Sequence, residues 1–201
     1  MSSESIAEYK VILASNSSIR KKILEDSGIS FEVIASDVDE EELKKSFSSK
    51  NFKDNCLALA KAKALEVSNK QKNAYVIGSD QICCFGEEIF SKPLTKENCF
   101  KTLSKLSGNT HYQNCGISIC KDGKEIWSHY AQAALTMKSL SDSEIKDYID
   151  KDEPLMACGA YRFESLGKNL FLSTKGDETT IQGLTLNPII NFLSSEKVID
   201  I

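Results

Sequence analysis

The segment Ala74-Tyr-Val-Ile-Gly-Ser-Asp-Gln-Ile-Cys-Cys-Phe-Gly86 decides the fold of this chain. Its first half, residues 74–79, is a short apolar run typical of a buried β-strand, and residues 81–91 are typical of a hairpin that turns at Gly86. Asp80 follows the apolar run at the predicted end of the strand, where ligand crevices open in α/β sheets. This aspartate is either a general base or Mg²⁺ ligand in such a crevice, or an ordinary residue of a strand-end turn.

Predicted strands and helices alternate on both sides of this segment. Strands are predicted at residues 9–14, 31–35, 110–121, 124–137, 161–163 and 170–173, and Asp122-Gly123 joins the two long strands as a hairpin. Helices are predicted at residues 19–27, 51–69, 95–106 and 184–193, and from the Ser141-x-x-Glu144 capping box to about residue 150. Because hairpins interrupt the alternation, the pattern predicts an α/β fold with a mixed, twisted sheet and flanking helices, in a single domain over residues 1–201.

Composition and charge narrow the classes of function. The chain has 201 residues, with 25 basic and 29 acidic side chains and a formal net charge of −4, whereas nucleic-acid-binding domains are usually strongly basic. Two histidines exclude a multi-histidine zinc site, and seven cysteines without a C-x-x-C pair predict reduced thiols. Residues 1–8 lack the regions of a secretion signal, and no apolar run reaches the ~20 residues that span a bilayer. We therefore expect a soluble, cytoplasmic protein with no nucleic-acid and no membrane partner.

A second candidate site is the hydroxyl-rich loop Ser15-Asn-Ser-Ser18, which leads into Arg20-Lys-Lys22. A strand, a polar loop and a helix start direct free backbone N–H groups at an anion, and the arginine fork suits phosphate oxygens. The same pattern is also typical of an N-capped helix with a solvated basic first turn. Both interpretations stay open on spacing alone.

The remaining candidates are weaker when each is taken alone. Lys92 is held beside Pro93 after the predicted hairpin, and an acidic run occupies residues 37–42. Lys61 and Lys63 lie on the predicted helix 51–69, where lysines are usually on the surface. The chain has no G-x-x-x-x-G-K-[ST] loop and no G-x-S-x-G elbow, which excludes an ordinary P-loop and an α/β-hydrolase nucleophile.

Taken together, these segments resemble the Maf family of nucleoside triphosphate pyrophosphatases over some 180 residues. The matching motifs are Val11-Ile-Leu-Ala-Ser15 with Arg20, Val38-Asp-Glu40, Leu59-Ala-Lys-Ala-Lys-Ala64, Ile77-Gly-Ser-Asp80, Lys92-Pro93, Leu106-Ser-Gly108, Glu153-Pro154, Cys158-Gly-Ala-Tyr161 and Gln182-Gly-Leu184. The resemblance implies a Maf/ITPase-like fold with two lobes around a nucleotide-binding cleft. It also implies hydrolysis of a nucleoside triphosphate to the monophosphate and pyrophosphate.

The resemblance also implies roles for individual residues. Asp80 matches the proton acceptor of the family, and the phosphate-contacting positions are matched by Ser15, Arg20, Lys92 and, beside them, Lys63. Glu40 matches an acidic residue implicated in metal binding or catalysis, so Glu40 and Asp80 are expected to hold Mg²⁺ or Mn²⁺ together with phosphate oxygens. Attack by water is expected at the α-phosphorus, which releases pyrophosphate as one unit.

Three positions indicate the branch of the family. Gln81 after the aspartate and Glu164 resemble the branch that hydrolyses 7-methyl-GTP, since the dTTP/UTP branch carries threonine and glutamine there. Ile19 departs from the tryptophan usual in the first branch, which removes a cation–π contact with a methylated guanine. The leading hypothesis is a house-cleaning enzyme for modified guanine nucleotides, with a dTTP/UTP pyrophosphatase or a nucleotide-binding regulator of cell division as alternatives. The sequence does not fix the oligomeric state, and a homodimer stays open.

Overall fold

The computed structural model describes residues 9–47 and 51–200, so residues 1–8, where no leader is expected, lie outside it. Seven described strands form one mixed sheet: β1 (Lys10–Leu13), β2 (Glu32–Val33), β3 (Ala74–Phe85), β4 (Glu88–Phe90), β5 (Thr110–Lys121), β6 (Lys124–Met137) and β7 (Phe171–Lys175). The strand order is β2-β1-β3-β5-β6-β7, with β4 added to β3. Strands β1, β2 and β3 run parallel, and the other pairs are antiparallel.

Helices flank both faces of this sheet. They are α1 (Ser18–Asp26), α2 (Glu40–Lys44), α3 (Phe52–Lys70), α4 (Lys96–Leu106), α5 (Asp142–Asp152), α6 (Glu178–Ile181) and α7 (Leu186–Ser195), with a 3-10 helix at Leu166–Leu170. The predicted capping box forms at the start of α5, where the side chains of Ser141 and Glu144 each accept a hydrogen bond from the other's backbone N–H group. The predicted α/β fold, with a mixed sheet and flanking helices, is confirmed.

The long strands β3, β5 and β6 are shared by two lobes, each with its own core. The first lobe joins β1, α1, α3 and α7 to the near half of these strands, with a core that includes Leu13, Leu24, Ile77 and Ile189. The second lobe joins α4, α5 and the segment 160–171 to the far half, around Leu103 and Ile149. The expected two-lobed arrangement is therefore present, and the cleft lies where the lobes meet.

The cleft opens at an edge of β3 that strands cover only in part. β1 pairs with β3 up to Ile77, where the amide of Ala14 donates to the Ile77 carbonyl at 2.8 Å. β5 occupies the opposite edge of β3, so β4 pairs with the same edge as β1. This pairing begins only at Cys83. Among the described residues, the stretch 78–82 of β3 therefore has no strand beside it on this side. Its backbone and side chains are available to other groups.

Two sequence predictions need correction. Asp80 does not end its strand, since β3 continues to Phe85. Asp80 instead lies just beyond the point where the neighbouring strand β1 ends. Residues 161–163 do not form a strand, because the Tyr161 side chain turns into the core while the Arg162 amide donates to the Tyr148 hydroxyl. The acidic run, for which the sequence predicts no element, leads into a helix: residues 40–44 form α2, with Asp39 as N-cap.

Gly78 sets the distance between α3 and β3. A Cβ atom at this position would overlap the carbonyl oxygen of Ala60 and lie 2.9 Å from the Cβ of Ala64, both on α3. The small side chains of Ala60 and Ala64 complete this close contact, and both residues are fully buried. The close approach is what brings the side chains of α3 to the open edge of β3.

We expect Gly78→Ala to lower the free energy of unfolding by about 3 kcal/mol, because the added methyl group forces α3 away from the sheet. Urea denaturation of the purified variant measures this. Gly28→Ala is the control: its Cβ meets nothing within 4 Å, although its φ of +79° is strained for alanine, so its cost should stay near 1 kcal/mol. A loss below about 1 kcal/mol for Gly78→Ala would contradict the tight packing.

Candidate active site

The centre of the candidate site is an ion pair between Lys63 on α3 and Asp80 on β3. The Lys63 ammonium donates to Oδ1 of Asp80 at 2.7 Å, and both residues are only 8% exposed. Side chains alternate along a strand, and Gly78 already faces α3, so Asp80 two residues later also faces α3. The expected meeting of these two residues at one place is present in the structure.

Glu40 joins this pair from α2. Its Oε1 lies 2.9 Å from the Lys63 ammonium, so a single lysine contacts two carboxylates. Burial raises the pKa of Glu40, but the hydrogen bond and charge of Lys63, followed by the charges of Lys44 and Lys92, lower it below its ordinary value of 4.5. Glu40 therefore stays ionised at neutral pH and holds α2 against the site.

Arg20 reaches the open edge of β3 from the opposite face of the sheet. Its Nη1 donates to the Ser79 carbonyl at 2.9 Å and its Nε donates to the Gly183 carbonyl at 2.8 Å, while Ser15 Oγ lies 3.4 Å from Nη1. Ser17 caps the helix by accepting from the Arg20 amide, as in the capped-helix interpretation of this loop. Arg20 thus ties β1, β3 and the segment after α6 together, and its predicted phosphate contact remains a prediction.

Gln81 and Ser79 fix the segment that follows α6. The side-chain amide of Gln81 donates to the carbonyls of Thr180 (3.1 Å) and Ile181 (2.7 Å). Ser79 Oγ donates to the Gly183 carbonyl at 2.8 Å. The sequence predicts Gln81 as a specificity residue, and the structure shows it binding protein backbone. The Gln81 side chain therefore fixes the end of α6, and its predicted role in substrate choice remains a prediction.

Two of the predicted specificity residues, Ile19 and Glu164, line one cavity of about 300 Å³. The cavity lies between α1, the segment 163–168 and α6, and its wall also includes Lys22, Phe163, Lys168, Glu178 and Gln182. Gln182 belongs to the segment that Gln81 holds, which connects this cavity to the open edge of β3. A larger, open depression of about 570 Å³ between Lys21 and Val33 contains none of the predicted site residues.

Glu164 is positioned by residues that the sequence reasoning missed. Its Oε1 lies 3.5 Å from Arg162 Nε, and Arg162 is held by the end of α5 through the Tyr148 hydroxyl and the Asp152 carbonyl. Asp152 is buried and also accepts from Ser165 Oγ at 2.6 Å. An aspartate at the end of a helix carries no sequence signal that identifies the loop it holds. Here that loop is residues 162–165, and only the fold brings it to Asp152.

Lys92 approaches from the second lobe, in the connection between β4 and α4. It is exposed, and its charge is among those that lower the pKa of Glu40. Burial raises the pKa of the Cys158 thiol in the same lobe, and Lys92 opposes that rise. Lys92 therefore faces the cleft close to Glu40, across from α2.

The two predicted metal ligands fit a cation that is shared with a substrate. In residues 9–47 and 51–200, no group of three or more His, Cys, Asp and Glu side chains is arranged as a metal site. Asp80 and Glu40 nevertheless both contact the ammonium group of Lys63, so their two carboxylates lie close to each other. Mg²⁺ is commonly bound by one or two carboxylates together with substrate phosphates, and this donor set matches that pattern.

Histidine chemistry is absent from this centre. His111 is fully buried beside Tyr161 and Gln113, and burial lowers its pKa to about 4, so it is neutral at physiological pH. His129 stacks on Trp127 on β6.

All seven cysteines are free thiols. Within the described residues, every helix is too short or too polar to span a membrane.

The cleft combines a buried carboxylate, cations from both lobes and a separate cavity that carries a second carboxylate, which is the arrangement of an enzyme acting on a phosphorylated small molecule. The model of the Maf-like protein family matches residues 10–196, and the chain belongs to this family. A nucleoside triphosphate pyrophosphatase of Legionella pneumophila (strain Corby) is 39% identical over 99% of this chain and 100% of its own length. A 7-methyl-GTP pyrophosphatase of Brucella abortus is 40% identical over 95% of this chain and 98% of its own length.

These relatives confirm the expected family and the enzyme class of nucleoside triphosphate pyrophosphatase. Among solved structures, the Ham1 protein of Staphylococcus aureus is similar with a TM-score of 0.47 and 17% identity, over 93% of this chain and 99% of that chain.

Proposed function

We propose that the protein hydrolyses a guanine nucleoside triphosphate, 7-methyl-GTP in the first place, to the monophosphate and pyrophosphate. The observation that carries this proposal is the contact of Lys63 with both Asp80 and Glu40 at the open edge of β3. It brings a buried base, a cation and a second carboxylate to one point between the lobes. Removal of such a nucleotide before it reaches nucleic acid is the corresponding role, and seven free thiols suit the reducing cytoplasm.

In the proposed reaction Asp80 takes a proton from water while the water oxygen bonds to the α-phosphorus. The bond from that phosphorus to the bridging oxygen breaks, and pyrophosphate leaves as one unit. Lys63 holds the Asp80 carboxylate in place, and its charge, with those of Lys92 and Arg20, stabilises the negative charge that develops on phosphate oxygens. A Mg²⁺ or Mn²⁺ ion held by Asp80, Glu40 and the phosphates would neutralise further charge.

The lining of the cavity between α1 and α6 favours guanine as the base of the substrate. Glu164 is on its wall, and a carboxylate accepts from the N1–H and the exocyclic amine of guanine together, whereas thymine and uracil offer no such pair of donors. Ile19 contacts the same space with an apolar side chain and offers no aromatic face. We therefore expect a smaller preference for the methylated base over GTP than an indole would give, by about 0.5–2 kcal/mol.

A panel of triphosphates tests the proposal. Pyrophosphate release is measured with 7-methyl-GTP, GTP, dTTP and UTP in the presence of Mg²⁺ or Mn²⁺. The highest kcat/KM is expected for 7-methyl-GTP, with GTP next. Faster turnover of dTTP or UTP would instead support the pyrimidine branch, and nucleotide binding without any pyrophosphate release would support the regulator.

Glu164→Gln is expected to lower kcat/KM for guanine substrates about tenfold, because the neutral amide loses one of two charge-assisted hydrogen bonds to the base. Activity on dTTP and UTP should change less than twofold. Steady-state pyrophosphate release with all four triphosphates measures both. Glu97→Gln, an exposed glutamate paired with Lys101 on α4, is the matched control. Equal losses on purine and pyrimidine substrates would remove the role of Glu164 in reading the base.

A further inference from the structure

Lys44 is the outer cation in a row of alternating charges that starts at Asp80. The successive contacts are Asp80 to Lys63 at 2.7 Å, Lys63 to Glu40 at 2.9 Å, and Glu40 Oε2 to Lys44 at 3.9 Å. Side-chain exposure rises along the row, from 11% and 10% for Asp80 and Lys63 to 41% for both Glu40 and Lys44. Lys44 is therefore the cation at the open, solvent-facing end of the row.

The helix α2 directs Lys44 toward the cleft and its neighbour Lys45 away from it. Lys44 is four residues after Glu40, so both lie on one face of the helix. Its closest partner is Glu41 at 2.7 Å, a carboxylate that is 83% exposed. Such an exposed pair is weak and is readily exchanged for a more highly charged partner. Lys45 pairs with Glu42 and is 73% exposed.

The charges of Lys44 and Lys92, which belong to different lobes, act on the same two groups. For Glu40, burial and Lys63 affect the pKa most, and the charges of Lys44 and Lys92 lower it further. Burial raises the pKa of Cys158, and the charges of both lysines oppose the rise, although Cys158 packs in the second lobe. The charge of Lys44 therefore reaches across the cleft.

The order of groups along the cleft indicates which part of the substrate Lys44 would meet. The base cavity lies on the side of the sheet that carries α1 and α6, and α3 with Lys63 lies on the other side. A triphosphate that starts in this cavity and passes Asp80 at the open edge continues toward α2. On this path the terminal phosphates would come next to Lys44, the outer cation of the row.

We propose that Lys44 is a substrate-binding residue for the pyrophosphate end of the triphosphate, opposite Lys92, and that it exchanges Glu41 for phosphate oxygens when the substrate binds. This inference rests on the proposed function. It assigns the leaving group two lysines from different lobes.

The test is calorimetric binding of inorganic pyrophosphate and of a guanosine monophosphate to the free protein in the presence of Mg²⁺. Lys44→Gln should weaken pyrophosphate binding about tenfold, through loss of a charged hydrogen bond, and leave monophosphate binding unchanged. Lys44→Arg should keep most of the affinity. Lys45→Gln, at the adjacent lysine that forms the C-cap of α2, is the control and should bind both ligands as the wild type does.

In hydrolysis, Lys44→Gln should raise KM for the triphosphate more than it lowers kcat. Pyrophosphate binding equal to the wild type would overturn the inference, and so would equal losses for pyrophosphate and monophosphate, which would indicate a merely structural role for Lys44. A wild-type protein that does not bind pyrophosphate would also overturn it. Failure of the proposed function is seen separately, as absence of pyrophosphate release in the triphosphate panel.

Discussion

Asp80→Asn is expected to lower kcat for pyrophosphate release by about 10³-fold, because the variant has no carboxylate to accept a proton from the attacking water. The substitution keeps the shape of the side chain, and its amide oxygen can still accept a hydrogen bond from Lys63, so the fold should be retained. Triphosphate affinity in the absence of a divalent metal should be equal or higher, since one negative charge facing the phosphates is removed. Single-turnover pyrophosphate release and calorimetric nucleotide binding measure the two effects.

Asp147→Asn is the matched control for this prediction. Asp147 is an exposed aspartate on α5 that is paired with Lys151 at 2.7 Å, so the variant loses an aspartate–lysine pair far from the cleft. Its activity should equal that of the wild type. A kcat for Asp80→Asn within a few-fold of the wild type would contradict the role of Asp80 as base. Recovery of activity at high Mg²⁺ concentration would assign Asp80 to metal binding instead.

Lys63→Met is expected to reduce both activity and stability. Methionine keeps much of the length and the apolar stem of the side chain but leaves Asp80 and Glu40 facing each other without the cation between them. Removing one partner of a largely buried ion pair is strongly destabilising, and because Glu40 is partly exposed we expect a loss of about 2 kcal/mol. Activity should fall by about 10²-fold or more, since a preorganised positive charge near the phosphates is lost.

The stability difference should depend on pH in a defined direction. Burial raises the pKa of Glu40, and Lys63 and other lysines more than offset this, so the folded-state pKa lies below the ordinary value of 4.5. A lowered pKa stabilises the folded protein above the ordinary value, and this stabilisation is lost as the pH falls through the folded-state pKa. The difference in the free energy of unfolding between wild type and Lys63→Met should therefore be largest near pH 7 and shrink below pH 4.5.

Lys61→Met is the control, because Lys61 lies on the same helix and pairs with Glu125 at 2.8 Å but is 47% exposed. It should change the free energy of unfolding by less than about 1 kcal/mol and leave activity unchanged. Urea denaturation from about pH 3 to about pH 8 compares the three proteins above and below the ordinary pKa of a glutamate. A pH-independent difference for Lys63→Met would mean that its cost comes from packing and not from the unpaired carboxylates.

The regular elements could be predicted from the sequence because their signals are local. The capping box at Ser141 and Glu144 and the Asp122-Gly123 hairpin depend on residues within a few positions of each other, and both form as expected. The same holds for α3, whose apolar spacing buries Leu59, Ala60 and Val67. The family motifs also indicate Asp80, Lys63, Glu40 and Arg20 as the residues of one site.

Other features could not be read from local pattern. Residues 161–163 are apolar enough for a strand, yet Tyr161 is drawn into a buried contact with His111 and Gln113, which are 50 and 48 residues away in the chain. Lys61 and Lys63 have the same type of side chain on the same helix, and only the direction of each one separates a surface pair from a buried one. The sequence predicts Gln81 as a specificity residue, and only the structure shows that its side-chain amide is bound to the backbone carbonyls of residues 180 and 181.

The sequence by itself determined the long strands and helices, the family and the set of residues that we propose for the chemistry, because hydrophobic period, caps and motifs are properties of neighbouring residues. Only the tertiary structure decided that Asp80 lies within β3 at the point where β1 ends, that Lys63 contacts two carboxylates, and that Lys44 extends this row into the cleft. The physical reason is that an open strand edge and a shared cation depend on which strands pair and how closely a helix packs. Those distances are set by contacts such as Gly78 against Ala60, between residues distant in the chain.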